Sequence, residues 1–365
     1  MNTCERSKTL FVGIDVHKDT HTAVALSPFG EKIFEMKIGN EVVDFMSLIG
    51  KAQEEANRVG LVPSFGLEDV HSWGERLSSF LFQEGLPVCA VAPILVDHAR
   101  KRTAHPEKND SLDAQGVAEV MIRKIDNLPA YTLTKEAETA KNIRDISLDR
   151  EHLVKERTRI KNHLHTLLYR MFNTGYAKEF KDPFSVKALR YWMKSRPKNV
   201  SLFLTRSMKR KVKRLMDIRE EIQELEHELE TLIKESGHTI QTASGCGTVI
   251  AAEIIGEVGD ISRFRSPAQL AKYAGCAPRE CSSGKTVRWR KTRGGNRRLN
   301  RSFHRMALSQ ISRMGNPAAQ AYFKRKVSEG KSKSQALVCL RRQMVNIIWM
   351  MMKHRTEYRY PQKND

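Results

Sequence analysis

Apolar and polar positions in the first ninety residues alternate in two rhythms. The run Leu10–Leu26, LFVGIDVHKDTHTAVAL, is apolar on both faces, as a strand in the middle of a sheet must be. It turns at Lys18-Asp19-Thr20 and returns through Thr22–Leu26. Glu31–Ile38 reads as a third short strand. Val42–Val59 has helical spacing and stops at Gly60, Leu61–Glu68 is a strand, His71–Gln83 is helical, and Pro87–Val91 is strand again. Three strands in a row, then alternating helices and strands, predict a mixed sheet with helices packed against it. Heptads follow over residues 143–171 and 212–233. Leu153, Ile160, Leu164, Leu167 and Met171 form one apolar seam, and Leu215, Ile218, Ile222, Leu225, Leu229 and Leu232 the other. That spacing predicts a coiled coil, either a hairpin within one chain or a seam between chains. Thr248–Glu257 is helical, and the stripe Leu337, Leu340, Met344, Ile347 and Ile348 marks a core helix near the end. The pattern divides the chain into an α/β part (1–130), a coiled-coil helical part (131–236) and a helical C-terminal part (237–365).

Four stretches carry chemistry that this pattern does not explain. Asp15 is a carboxylate on an otherwise apolar strand, costly there unless it reaches water, is paired or binds a metal. Glu68 closes another strand in the same way. Past the basic loop Arg100–Lys108, Asp110 and Asp113 share one face of a starting helix. Taken alone, those two are explained by capping and the helix dipole. Gly245-Cys246-Gly247 opens a helix with backbone N–H groups suited to phosphate. Finally, Arg279–Arg298 holds eight Lys or Arg and one Glu, with Trp289 and Gly294-Gly295 among them. A Ser282-Ser283-Gly284 turn beside those cations suits a hydroxyl that meets a phosphodiester, although a solvated basic face has the same composition.

Charge changes the picture further. The net charge of +21 over 365 residues implies a polyanionic partner, and the excess gathers in the last third. The first nine residues are polar, unlike a secretory leader, and the apolar run Val345–Met352 is too short to cross a membrane. The six cysteines show neither CxxC nor zinc spacing, which fits free thiols in a reducing cytoplasm.

Taken together, four motifs resemble the transposases of the IS110 class, whose relatives include DNA invertases. They are Gly13-Ile14-Asp15-Val16-His17-Lys18, then Gly66-Leu67-Glu68-Asp69, then Lys108-Asn109-Asp110-Ser111-Leu112-Asp113-Ala114. The fourth joins Gly275-Cys276-Ala277-Pro278, Ser282-Ser283-Gly284 and Gly295-Asn296-Arg297-Arg298-Leu299. One departure is Asp69-Val70-His71-Ser72-Trp73, where many members have a Thr-Gly-aromatic turn. The resemblance implies a ribonuclease-H-like, RuvC-type domain whose DEDD carboxylates map to Asp15, Glu68, Asp110 and Asp113. It implies Mg²⁺, two ions with Mn²⁺ as an alternative, and a nucleophilic serine that maps to Ser283. Lys285, Arg288, Arg290, Arg297 and Arg298 are the expected nucleic-acid contacts. The implied partners are donor and target DNA, a structured guide RNA from the element, and further copies of the chain as a dimer or tetramer through the coiled coil. The implied setting is the bacterial cytoplasm, at the nucleoid. Because the coiled coil separates carboxylates from serine, a composite site made in trans is expected. The rivals are an invertase of the same build, a RuvC-like junction nuclease using water, and a non-enzymatic nucleic-acid scaffold.

Overall fold

The computed structural model describes residues 3–70, 72–100, 109–195, 200–283, 286–290 and 294–359. After a short helix, α1 (Thr3–Arg6), the chain forms β1 (Thr9–Val16), β2 (Thr20–Leu26) and β3 (Lys32–Gly39). Helix α2 (Val42–Arg58), strand β4 (Val62–Leu67), helix α3 (Glu75–Gln83) and strand β5 (Val88–Ala90) follow, then α4 (Pro93–Arg100) and α5 (Asp110–Lys124). The sheet order is β3-β2-β1-β4-β5. β1 pairs antiparallel with β2 and parallel with β4, so the expected mixed sheet is present and β1 lies at its centre.

Alternation along β1 divides its side chains between two cores. Leu10, Val12 and Ile14 join Phe45, Leu48, Leu77 and Leu81 of α2 and α3. Phe11, with Val24 and Leu26 of β2, joins Ala114, Val117, Ala118 and Met121 of α5. The result is three layers, helix, sheet and helix. Helix α5 approaches the sheet closely because two glycines face it. A Cβ on Gly13 would lie 2.3 Å from the Ala114 carbonyl oxygen, and one on Gly66 would lie 2.4 Å from Met121 Sδ. Gly13 and Gly66 are register partners, so the two gaps lie side by side on neighbouring strands.

Helix α6 (Lys135–Phe172) runs into α7 (Tyr176–Glu179), α8 (Val186–Lys194) and α9 (Leu202–Glu235). α6 and α9 form an antiparallel hairpin inside one chain, as ion pairs Arg150–Glu226 and Arg214–Glu156 align. Leu215, Ile218, Ile222 and Leu229 are buried within this single chain. On α6 the buried set is Leu164, Leu168 and Met171, with Leu168 where the heptad reading placed Leu167. The difference follows from α8, which lies in the stretch that appeared irregular and packs Leu189 and Trp192 onto the distal end. At its base the hairpin enters a different core through Ala140, Ile143, Leu229 and Ile233.

That core belongs to the C-terminal helices α10 (Thr248–Val258), α11 (Pro267–Tyr273), α12 (Arg297–Ile311), α13 (Pro317–Ser328) and α14 (Lys333–His354). Leu340, Met344 and Ile348 of the expected stripe are buried in it. A hairpin, β6 (Arg279–Ser283) and β7 (Thr286–Arg290), projects between α11 and α12. No helix among the described residues is long and apolar enough to cross a membrane.

The glycine contact makes a direct prediction. Gly13→Ala pushes α5 off the sheet, because the opposing atoms are backbone and cannot swing aside. We expect a stability loss of about 2–3 kcal/mol, read by denaturant unfolding. Gly50→Ala, on α2 with open space around it, is the control and leaves stability within about 1 kcal/mol or raises it.

Candidate functional site

The carboxyl edge of the sheet gathers the acidic side chains. Asp15 is near the end of β1, and its side chain is 12% exposed. The alternation that turns Gly13 toward α5 also turns Asp15 to that side. Asp110 arrives from α5. Asn109 caps this helix, its side-chain oxygen accepting the Leu112 N–H at 2.8 Å. The N-cap is therefore already filled, which leaves Asp110 in the first turn with its carboxylate available for other work. His17, just beyond β1, is tied by its backbone N–H to the Thr20 carbonyl at 3.2 Å. Its Nδ1 lies 3.8 Å from Asp15 Oδ2 and its Nε2 3.4 Å from Asp110 Oδ1. One atom each from Asp15, His17 and Asp110 falls within a 4.8 Å circle.

Glu68 directly follows Leu67, whose register partner is Ile14, so it is to β4 what Asp15 is to β1. Parallel neighbours are about 4.8 Å apart. The adjacent Asp69 shapes the backbone instead, its carboxylate accepting the Ser72 N–H at 2.9 Å and the Trp73 N–H at 3.2 Å. This turn holds the chain after Glu68 in the place of the Thr-Gly-aromatic turn. Asp113 lies one helical turn beyond Asp110. The structure thus gathers Asp15 and Asp110 with His17, while Glu68 and Asp113 sit at adjoining positions outside that tight group. Sequence reasoning passed over His17 although it stands inside the first motif. The signal available was a His two residues after a strand-end Asp.

A divalent cation fits this donor set. Carboxylate oxygens with one imidazole nitrogen suit a hard or borderline ion, and three converging ligand atoms leave positions open to substrate. His17 lies beside both carboxylates, and Asp110 stands in the first turn of α5, where the helix dipole favours negative charge.

The serine motif is built differently from its sequence reading. Ser282 and Ser283 lie in β6 rather than in a loop, and Ser283 pairs with Thr286 at the closing register of the hairpin. Gly284 and Lys285 lie outside the described residues; Arg288 and Arg290 are in β7. The root of this hairpin is held tightly. Gly275 and Gly295 take φ of +63° and +98°, and their backbones touch where a Cβ on Gly275 would meet the Gly294 carbonyl oxygen at 2.5 Å. Asn300 Nδ2 donates to the Gly275 carbonyl at 2.8 Å, and Arg341 holds the Asn300 oxygen at 2.9 Å. Gly294 also packs on Ile94 of α4, which places the root against the N-terminal domain of the same chain.

Arg297 and Arg298 separate. Arg297 is exposed and lines an open cleft of about 370 Å³ with Arg301, His304 and Arg341. Arg298 is 16% exposed and faces inward, pairing with Glu257 at 2.7 Å and Glu151 at 3.4 Å and donating to Ser147 Oγ at 3.0 Å. Burial pushes the Glu257 carboxyl up, but Asn296, Arg144 and Arg298 together hold it below the ordinary carboxylate range. The same balance brings Glu151 down to about 2, with Arg301 and Lys155 as its partners. Arg298 therefore locks α12 to α6 and α10. At the glycine turn before α10, Gly245 packs on Ser309 and Met306 of α12.

A mixed sheet with acidic residues gathered at its carboxyl edge, joined to a strongly basic helical domain, defines a nucleic-acid-processing class. Comparison with known proteins narrows it. Residues 12–173 match a transposase family profile of the IS110 DEDD type, and residues 237–324 match the profile described as transposase, IS116/IS110/IS902 family. An insertion element IS116 protein of Streptomyces clavuligerus is 27% identical over 95% of this chain and 96% of its own. The transposase of insertion sequence IS1111A from Coxiella burnetii is 24% identical over 95% of this chain and 91% of its own. A pilin gene-inverting protein of Moraxella bovis is 31% identical over 36% of this chain and 43% of its own. The chain belongs to the IS110 family of insertion-sequence transposases. Such enzymes cut and rejoin DNA, and this family's acidic signature goes with a divalent metal.

The two arginines should respond differently to substitution. Arg298→Ala leaves Glu257 and Glu151 short of a partner in a buried site and costs about 3 kcal/mol of stability. Arg297→Ala leaves stability unchanged and lowers the salt slope of DNA binding by about 0.9. Denaturant unfolding and binding titrations across salt concentrations read the pair.

Proposed function

We propose that this transposase cuts and rejoins DNA by pairing a DEDD carboxylate centre with a serine nucleophile. Asp15, Glu68, Asp110 and Asp113 are the carboxylates, and Ser283 is the nucleophile. The observation that carries the reading is the convergence of Asp15, His17 and Asp110 at the carboxyl end of the central strand. Two such carboxylates from distant parts of the chain have a common purpose if they share a cation. Mg²⁺, as two ions or with Mn²⁺ in its place, fits the carboxylate oxygens and would stabilise charge on the attacking and leaving oxygens. A ribonuclease-H-like, RuvC-type fold is supported by the strand order with β1 central and by Asp15 at its end.

The serine supplies what water does not. Its Oγ displaces one ester oxygen at phosphorus and gives up its proton, and the displaced oxygen leaves as a free hydroxyl. One phosphoester bond forms as one breaks, so the covalent link keeps the bond for rejoining. A serine hydroxyl is weak and needs activation and anion stabilisation. Arg288 and Arg290 of β7, together with Lys285 and the exposed Arg297, are the cations that hold phosphate. Arg298 is left out of this set because its charge is spent on Glu257 and Glu151. The +21 charge further supports a second polyanion, the structured guide RNA that bridges donor and target DNA. A dimer or tetramer places two serine hairpins at two strands. It does not need the heptad seam, which is filled within one chain. An invertase of the same build uses the same centre, and the likeness to the pilin gene-inverting protein favours it as the second reading.

Asp15→Asn and Asp110→Asn should each abolish strand cleavage while nucleic-acid binding persists, because only negative charge is lost. Trapped with labelled DNA on a denaturing gel, wild-type protein should give a protein-linked band that Ser283→Ala lacks. Cleavage at the wild-type rate by Ser283→Ala returns the chain to the water-using nuclease class, and full activity in Asp15→Asn removes the carboxylate assignment.

A further inference from the structure

The distal end of the α6–α9 hairpin differs chemically from its base. Residues 157–178 contain no Asp or Glu, and residues 183–216 contain none while carrying eleven Lys and Arg. The base of α9, Asp217–Glu235, has eight acidic residues against two basic ones. Acids at the base are employed, Glu226 with Arg150 and both Glu156 and Glu221 with Arg214. At the tip the exposed cations fall into two stripes. On α8, Lys187, Arg190 and Lys194 face outward while Ala188, Leu189 and Trp192 are buried. On α9, Arg206, Arg210 and Lys213 face outward while Met208, Val212 and Leu215 are buried. None of these six has an ion-pair partner among the described residues. Like charges at spacings of three and four weaken a helix, so each stripe costs stability until an anion arrives.

Aromatic rings interleave with both stripes. Tyr191 is 42% exposed between Arg190 and Lys194, and Phe203 is 68% exposed one turn before Arg206. Tyr191 is the outer member of an existing cluster of tilted and edge-to-face rings, with centroids 5.3 Å from Phe180 and 4.9 Å from Trp192. Trp192 in turn lies against Phe172 at 5.3 Å. A flat partner laid on Tyr191 extends a cluster that is already ordered. The stretch from Phe203 to Lys213 is about 15 Å long, room for several backbone phosphates. A second copy of the chain is a poor fit, since it would bring the same unpaired cations face to face. A membrane is also a poor fit, because most apolar side chains of α8 and α9, Leu189, Trp192, Met208, Val212 and Leu215, are turned into the protein.

We propose that this tip binds single-stranded DNA, with phosphates along the Lys187–Lys194 and Arg206–Lys213 stripes and bases stacked on Tyr191 and Phe203. Cations tracking a backbone beside exposed rings are the means by which unpaired strands are held without sequence preference. The strand class rests on the reading that this chain opens and cuts DNA; the tip itself takes no part in the cutting.

The test is fluorescence anisotropy with the full chain, in EDTA so that no strand is cut, using a labelled strand of about 16 nucleotides. The same sequence as duplex DNA and as single-stranded RNA provides the other arms. Replacing the six stripe cations by Gln should reduce the salt slope for the single strand by about 4, at about 0.7 for each cation removed. Tyr191→Ala with Phe203→Ala should weaken the single strand roughly tenfold or more and leave the duplex unchanged. Tyr191→Phe should retain affinity, which separates a lost ring from a disturbed fold. The proposal is overturned if the Gln variant keeps the wild-type slope, if the aromatic variant weakens duplex as much as single strand, or if only RNA binds. Asp15→Asn protein binds the strand like wild type, so a failed carboxylate assignment registers in cleavage and a failed tip assignment in binding.

Discussion

The close seat of α5 on β1 and β4 is the constraint on which the rest of the N-terminal domain depends. Gly13 and Gly66 remove two side chains at one register, and backbone and thioether fill the space. This brings the start of α5 to the carboxyl edge of the sheet. Asp110 then meets a strand-end Asp15 that the β1 alternation has already turned toward it. Backbone approach at this distance tolerates no added carbon, because interiors are packed too densely to yield. The site is therefore a consequence of how one helix is seated, and its carboxylates inherit the rigidity of the central strand.

Electrostatics orders the remainder of the chain. The buried Glu257 and the half-buried Glu151 are surrounded by Arg144, Arg298 and Arg301, which join the hairpin base to the C-terminal helices. Around the root of the serine hairpin, Asn300 and Arg341 fix two glycine-rich turns against each other. Acids and bases that neutralise one another thus build the frame. Among the described residues, cations outside this frame include those at the hairpin tip and Arg297, where a polyanion can reach them.

Much of this was legible in the sequence, for identifiable reasons. The central strand and its isolated Asp15 stood out because an apolar run seldom tolerates a charge, and the mixed sheet followed from the alternation of periods. Asp110 was legible as a member of a motif but ambiguous as chemistry until Asn109 proved to be the cap. His17 was overlooked because a single imidazole in a turn has no pattern of its own. Arg298 was read as a nucleic-acid contact, and charge read along the chain does not reveal that it is paired with Glu257 and Glu151. The heptads gave the helices correctly, but the seam at Leu168 depended on α8, whose nine residues between prolines carry too short a period to be recognised. Ser283 appeared to sit in a turn because its neighbour is glycine, whereas backbone pairing with Thr286 extends the strand to it.

The central claim is that α5 and β1 together make a cation site at Asp15, His17 and Asp110. Anomalous diffraction from crystals soaked in Mn²⁺ tests it most directly, since the ion's own signal reports its position. The expected result is an anomalous peak bounded by the Asp15 and Asp110 carboxylates, at about 2.0–2.6 Å from their oxygens, and no such peak in crystals of Asp110→Asn protein. A well-occupied peak elsewhere on the chain, with none between those two carboxylates, would contradict it.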